Sequence, residues 1–285
     1  MTKILHIDIE TYSSVDIMAS GAYKYMESLD FEILLVAYAF DDEPVQIVDL
    51  SNGETLPEEF INALLDPQTE KHAHNANFER QAFKTYGYNV PVDQWFCSAV
   101  KSAYCGLPLS LDGVSKALSL GDLGKSASGK ALIRFFSCPV KATKINGMRE
   151  RNFSFHDPIK WEMYKDYCKQ DVEAEREIGK RLEAYPIPLF ERMNYILDQK
   201  INDKGILIDL VMAKNAFDID TRFAEELSNR VKEITGVENP NSAAQLKNWL
   251  SAAMQKEITT LAKGDIPALI QEAGVGAVSE VLTIR

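Results

Sequence analysis

Three β-rich runs open the chain, at residues 3–9, 32–40 and 45–50, and their apolar content predicts strands. The acidic, proline-containing Asp41-Asp42-Glu43-Pro44 predicts a turn between the second and third, so the three form a meander. Pro57-Glu58-Glu59 followed by Phe60, Ile61, Leu64 and Leu65 predicts a helix start. A short strand is expected at 71–74, a helix containing Phe78, Ala82 and Phe83 after it, and another strand at 95–97. Residues 110–151 read as short helices joined by glycine-containing loops. Asp157-Pro158 supplies an N-cap and first-turn proline for a long helix to about Leu182, with Trp161, Tyr164, Cys168, Val172, Ile178 and Leu182 on one face. Pro186-Ile187-Pro188 ends it and marks the expected domain boundary: an α/β unit over 1–186, with a mixed, helix-flanked sheet, and a smaller, mostly helical region over 187–285. Helical patterns there cover 190–202, 210–235, 242–255 and 277–283.

At 285 residues the chain has room for one large or two ordinary domains. No apolar run approaches the roughly 20 residues that span a bilayer, and Asp8 interrupts the amino-terminal stretch where a signal peptide needs apolar residues. No membrane partner is expected. Cys97, Cys105, Cys138 and Cys168 have no zinc-type or redox-motif spacing and read as reduced thiols of a cytoplasmic protein. The net charge of -11 argues on average against a polyanionic partner. The average conceals a basic stretch. Lys116, Lys125, Lys130, Arg134, Lys141, Lys144, Arg149 and Arg151 are opposed within it only by Asp122 and Glu150. Lys141 and Lys144 are therefore candidate phosphate contacts, against the plainer reading of a solvated basic loop.

Carboxylates carry the candidate chemistry. Asp8 and Glu10, two apart on a strand, share the face opposite Leu5, Ile7 and Ile9, and Thr11 follows with a hydroxyl. Tyr167 and Asp171 stand one turn apart on the long helix, where Asp171, like Glu175, falls within the apolar stripe. An acid there is costly to bury unless a cation or strong donors meet it. Glu79 opens a helix after His74-Asn75-Ala76-Asn77-Phe78. Taken singly, each acid has an ordinary explanation as a surface strand residue, a groove-facing helix acid or a first-turn acid favoured by the helix dipole. Gathered together they would repel one another, and hard divalent cations, which prefer oxygen ligands, reverse that penalty.

The ordered set Asp8-x-Glu10, Asn75-x-x-Phe78-Glu79 and Tyr167-x-x-x-Asp171 resembles the three motifs of the DnaQ-like, tyrosine-type 3′ to 5′ exonucleases. The resemblance implies an RNase H-like fold and two-metal hydrolysis of a nucleic-acid 3′ end. It implies Mg²⁺ or Mn²⁺ as cofactors, with Asp8, Glu10 and Asp171 as metal ligands and Glu79 and Tyr167 completing the catalytic set. Thr11, Asn75 and Phe78, with Lys141 and Lys144, are the expected nucleic-acid contacts. Glu79 departs from the pattern, which usually has Asp there.

The resemblance extends to phage or prophage A-family DNA polymerases through Asp8-Ile9-Glu10-Thr11-Tyr12-Ser13-Ser14, Gly21-Ala22-Tyr23-Lys24-Tyr25 and Cys138-Pro139-Val140-Lys141-Ala142-Thr143-Lys144. Asp198-Gln199-Lys200-Ile201-Asn202-Asp203-Lys204-Gly205-Ile206 and Asn239-Pro240-Asn241-Ser242-Ala243-Ala244-Gln245-Leu246 resemble the opening of the polymerase module, and Ser279-Glu280-Val281-Leu282-Thr283-Ile284-Arg285 resembles the segment preceding its thumb helices. It implies a proofreading exonuclease acting on a single-stranded DNA 3′ end or frayed primer terminus in a bacterial or phage-infected cell, with a downstream polymerase module as partner. The polymerase-like portion is only a beginning, without room for palm carboxylates, so polymerisation by this chain alone is not expected. Two rival readings share part of the pattern: an RNase D-type RNA exonuclease, and a catalytically silent DNA-binding or structural module of a split polymerase.

Overall fold

The computed structural model describes residues 3–121 and 127–285, and the chain forms two compact units, 1–205 and 206–285. The first is built on a five-stranded mixed sheet of order β3-β2-β1-β4-β5. β1 (Ile4–Tyr12), β2 (Glu32–Phe40) and β3 (Gln46–Asp49) form the expected antiparallel meander, while β4 (Glu70–Ala73) and β5 (Trp95–Cys97) run parallel to β1. This strand order and direction give the RNase H-like α/β fold.

Period-two alternation in β1 sorts its side chains between two cores. Leu5, Ile7 and Ile9 face α1 (Ile17–Met26), α2 (Glu58–Leu65) and α3 (Asn77–Thr85), packing with Tyr25, Phe60, Phe83 and Trp95. The opposite face carries His6, Asp8, Glu10 and Tyr12, and is covered by α6 (Ala127–Phe136) and α7 (Pro158–Arg181) through Leu132, Phe136, Trp161, Tyr164, Cys168 and Val172. α4 (Ser98–Tyr104) and α5 (Leu111–Ala117) complete this side, with Val114 buried against Ile178 and Leu182 of the α7 end.

β2 is apolar from Ile33 to Phe40 because both its faces are buried there. It carries one extra residue: Glu10 pairs with Leu35, but Thr11 pairs with Ile33. The bulge at Leu34 lets Leu34 and Leu35 join the α7 core, while Ile33 and Val36 join the other.

α7 begins as its sequence predicts, with the Asp157 carboxylate accepting from the Lys160 amide at 3.1 Å and Pro158 in the first turn. α1 is absent from the sequence reading. Gly21, at φ 78°, breaks its helical path, and beyond it Tyr23 and Tyr25, two residues apart, reach Asp203 and Thr11 respectively. Over 137–151 the chain is irregular rather than helical, and a single 3-10 turn at Ser154–His156 precedes α7. Asn146 organises the irregular stretch, accepting from the Thr143 amide at 2.9 Å and donating to the Lys141 and Arg149 carbonyls.

The compact first unit extends beyond the expected boundary at residue 186. α8 (Leu189–Lys204) belongs to it, because buried Arg80 holds Asp203 through two hydrogen bonds of 2.6 and 2.8 Å. Tyr23 and Gln81 donate to the same carboxylate at 2.8 and 2.6 Å. The second unit consists of α9 (Leu210–Thr235), α10 (Ala243–Met254), α11 (Ile266–Ala273) and α12 (Ala277–Ile284), around Val231, Leu246, Leu250, Val281 and Leu282. Arg230 pairs with Glu280 at 2.6 Å, and α11, which begins at Ile266-Pro267, is the helix that hydrophobic periodicity missed.

Candidate active site

The polar face of β1 meets α7 head to tail. Glu10 lies against Tyr164, Asp8 against Cys168 and His6 against Glu175, so four residue steps of strand, about 13 Å, match eleven steps of helix, about 16 Å. Asp171 falls between the last two contacts. Glu79 enters from the first turn of α3, beyond the end of β4. There Asn75, in the left-handed region at φ 68°, reverses the chain and its carbonyl accepts from the Phe78 amide at 2.8 Å.

Asp8, Glu10, Glu79 and Asp171 thus converge from three elements. Burial pushes the Asp8 carboxyl well above the usual carboxylate range, and the charges of Asp171, Glu10 and Glu79 push it the same way. Burial raises Glu10 to about 8 against the opposing hydrogen bond from Tyr164, with Asp171 adding to the rise. It raises Asp171 to about 7, the Tyr167 hydrogen bond opposing. Glu79 is also raised, chiefly by burial, and its Oε2 has no hydrogen-bond partner although buried. A buried acceptor without a donor is costly, and a cation-bound oxygen loses that cost.

The surrounding donors fix the set. Tyr164, fully buried, donates to Glu10 Oε2 at 2.5 Å and receives a hydrogen bond from Ser137 at 2.6 Å. Tyr167 hydrogen-bonds Asp171, and burial together with the Asp171 and Glu10 charges holds its phenol protonated far above the ordinary range. Cys168 lies with Sγ 3.4 Å from Asp8 Oδ2, and burial pushes its thiol well up. Ligand atoms of Asp8, Glu10 and Cys168 lie within 4.8 Å of one another. The two crowded carboxylates, with one orphaned oxygen at Glu79, fit hard divalent ions, and the Cys168 thiol, kept protonated by burial, serves them as a donor to Asp8.

The remaining expected residues are placed as follows. Thr11 is buried and its hydroxyl pairs with the Tyr25 hydroxyl at 2.9 Å, leaving its backbone at the end of the carboxylate row. Phe78 is half-buried against Tyr25, their rings 6.2 Å apart, and Asn75 is exposed at the turn. Lys141 and Lys144 are exposed on the Asn146-organised loop. The basic stretch is partly neutralised: Lys116 pairs with Asp112 at 2.6 Å, and Arg151 pairs with Glu32 at 2.5 Å while covering the Tyr12 ring at 3.8 Å. Lys125 and Asp122 lie outside the described residues.

Sequence reasoning assigned Tyr164 and Cys168 to the core stripe and missed their contacts with the carboxylates. The signal was present in their spacing, since a helix face opposite an acidic strand face must offer it donors. Glu175, which the pattern also placed in the apolar stripe, is buried and bonded to His6 at 2.7 Å.

This chain is 48% identical over 284 residues, 99% of its length, to a protein of Bacillus phage SP02 named DNA polymerase. It spans 44% of that relative's length. A solved structure titled "apo form of the nuclease" matches 68% of this chain and 77% of its own at 16% identity with a TM-score of 0.36. The fold assignment rests on the strand order rather than on that likeness. No protein-family model matches the chain. Among the described residues no helix is long and apolar enough to cross a membrane.

Proposed function

We propose that this chain is a metal-dependent 3′ to 5′ exonuclease that trims DNA to 5′-mononucleotides as the proofreading part of a phage-type DNA polymerase. The observation that carries the reading is the convergence of Asp8, Glu10, Glu79 and Asp171, each raised in pKa by burial, beside a protonated Tyr167. The name of the Bacillus phage relative supports a DNA substrate and a downstream polymerase module as partner.

Asp8, Glu10 and Asp171 would hold two Mg²⁺ or Mn²⁺ ions, with Glu79 contributing its unpartnered oxygen. When bound, such ions supply charge stabilisation to a phosphodiester and acidify the attacking water. The protein's own part is positioning. Tyr164 fixes the Glu10 carboxylate, and Tyr167, whose one proton is given to Asp171, presents its phenol oxygen as an acceptor that orients the attacking water. Asn75 and Phe78 flank the approach of a terminal nucleotide, and Lys141 and Lys144 supply phosphate contacts. The substrate is a single-stranded 3′ end or a frayed primer terminus, and residues 206–285 begin the polymerase module.

Metal-dependent release of 5′-mononucleotides from single-stranded DNA tests the reading. Asp8→Ala and Asp171→Ala are each expected to lower the rate by about a hundredfold or more. Unchanged release would overturn the assignment, and faster hydrolysis of a matched RNA oligomer would move the substrate class to RNA.

A further inference from the structure

A second cluster of metal-ligating side chains lies one step back along the same elements. His6 and His72 are register partners on the parallel strands β1 and β4, so their side chains leave the sheet on the same face. Their rings are 5.3 Å apart, and Glu175 descends onto them from α7. One ligand atom from each of His6, His72 and Glu175 lies within 4.8 Å of the others. The cluster uses none of Asp8, Glu10, Glu79 and Asp171.

Ordinary imidazole–carboxylate pairs account for His6 with Glu175 and for His72 with Glu70, but neither accounts for the two imidazoles being brought together with Glu175 between the same elements. His72 is held in place on its own account. It stacks on Phe96 with ring centres 5.0 Å apart, and its Nε2 lies 3.0 Å from Glu70 Oε2. Carboxylate partners of this kind orient ligating imidazoles. His6 and Glu175 are 6% and 2% exposed, so their positions are fixed by packing, while His72 borders solvent. The three line a cleft of about 1630 Å³ that also exposes Glu70, Asp41 and Asp42. The cleft gives an ion a route in and leaves room for water as a further ligand. The neighbouring His74 is committed elsewhere, to Ser98 at 2.9 Å and the Leu109 carbonyl at 2.8 Å.

We propose that His6, His72 and Glu175 form a second metal site, selective for a borderline transition ion of the zinc type, that ties β1 and β4 to α7. Two imidazoles and one carboxylate suit zinc rather than the oxygen-seeking Mg²⁺ or Ca²⁺. On binding, a proton on His6 Nδ1 moves to Nε2 or to solvent, freeing the lone pair now opposite Glu175. The site lies two residues from Asp8 along β1 and one turn from Asp171 along α7. An ion there would brace the two elements that carry the candidate catalytic carboxylates.

The test is Zn²⁺ binding by the full chain, measured calorimetrically in millimolar Mg²⁺, with Co²⁺ as a spectroscopic probe. Wild type is expected to take up one Zn²⁺ that raises its melting temperature. His72→Ala should weaken that binding by at least about tenfold and abolish the thermal shift, whereas Cys168→Ser should leave both unchanged. His72→Gln, close in volume and equally deficient, serves if the alanine variant folds poorly. The Co²⁺ adduct should show no thiolate charge-transfer band. Equal zinc binding by wild type and the His72 variants, loss of binding in Cys168→Ser, or no uptake by wild type overturns the proposal. None of these outcomes depends on whether the chain degrades DNA.

Discussion

At Glu10, burial and a phenol act in opposite directions, and burial wins. Its carboxyl rises from 4.5 to about 8 despite the Tyr164 hydrogen bond, and Asp171 rises from 3.8 to about 7. Between about pH 4 and pH 8 the folded protein therefore binds more protons at these groups than the unfolded chain does. Unfolding free energy must fall as pH rises through that window, and a divalent ion that favours the ionised form must oppose the fall. Melting in EDTA should show a temperature that declines from pH 5 to pH 8, with Mg²⁺ or Mn²⁺ restoring stability most at the alkaline end. Asp171→Asn should flatten the decline. A flat profile in EDTA for the wild type would contradict the raised pKa values.

At the scale of elements, α8 is attached to the sheet unit by charge as much as by apolar packing. Arg80 is 5% exposed and donates twice to Asp203, so replacing it removes the main partner of a half-buried carboxylate. Arg80→Ala should cost roughly 3 kcal/mol, near the lower end for such pairs because Tyr23 and Gln81 still donate to Asp203. Denaturant unfolding measures the loss, and Asp203→Asn, which keeps an acceptor in place, should cost less. This attachment also explains the shifted boundary. Pro186-Ile187-Pro188 signals a break in helix, which it is, but the long-range partnership of Arg80 with Asp203 leaves no local trace in composition. The five strands and α7 were legible because alternation and capping are local, and so was the shared face of Asp8 and Glu10. α1 was not, since Gly21 interrupts its period, and Tyr164 and Cys168 looked like core because their polar atoms meet acids more than 150 residues away.

For the whole molecule, the proposed function requires an acidic chain to bring a polyanion to an acidic site. Lys141 and Lys144 are the exposed cations on the loop that Asn146 organises, whereas Arg151 and Lys116 are already paired. Reversing both charges, Lys141→Glu with Lys144→Glu, should weaken single-stranded DNA binding at low salt and reduce the magnitude of the log–log salt slope by about 1.4, at roughly 0.7 per lost phosphate contact. Affinity titrations between low and moderate salt read both effects. An unaltered slope would make the loop a solvated surface.

The extra residue in β2 has a consequence for length variation. Along most of the strand, losing one residue inverts the parity of everything on one side of the gap, turning core side chains outward. Leu34 is the exception. Because it is surplus to the pairing of Glu10 with Leu35 and Thr11 with Ile33, its deletion leaves both halves in phase with β1. A frame-preserving deletion scan of this strand should find tolerance only at Leu34 and Leu35, where removing either leucine gives the same sequence, at the expense of one leucine from the core beneath α7.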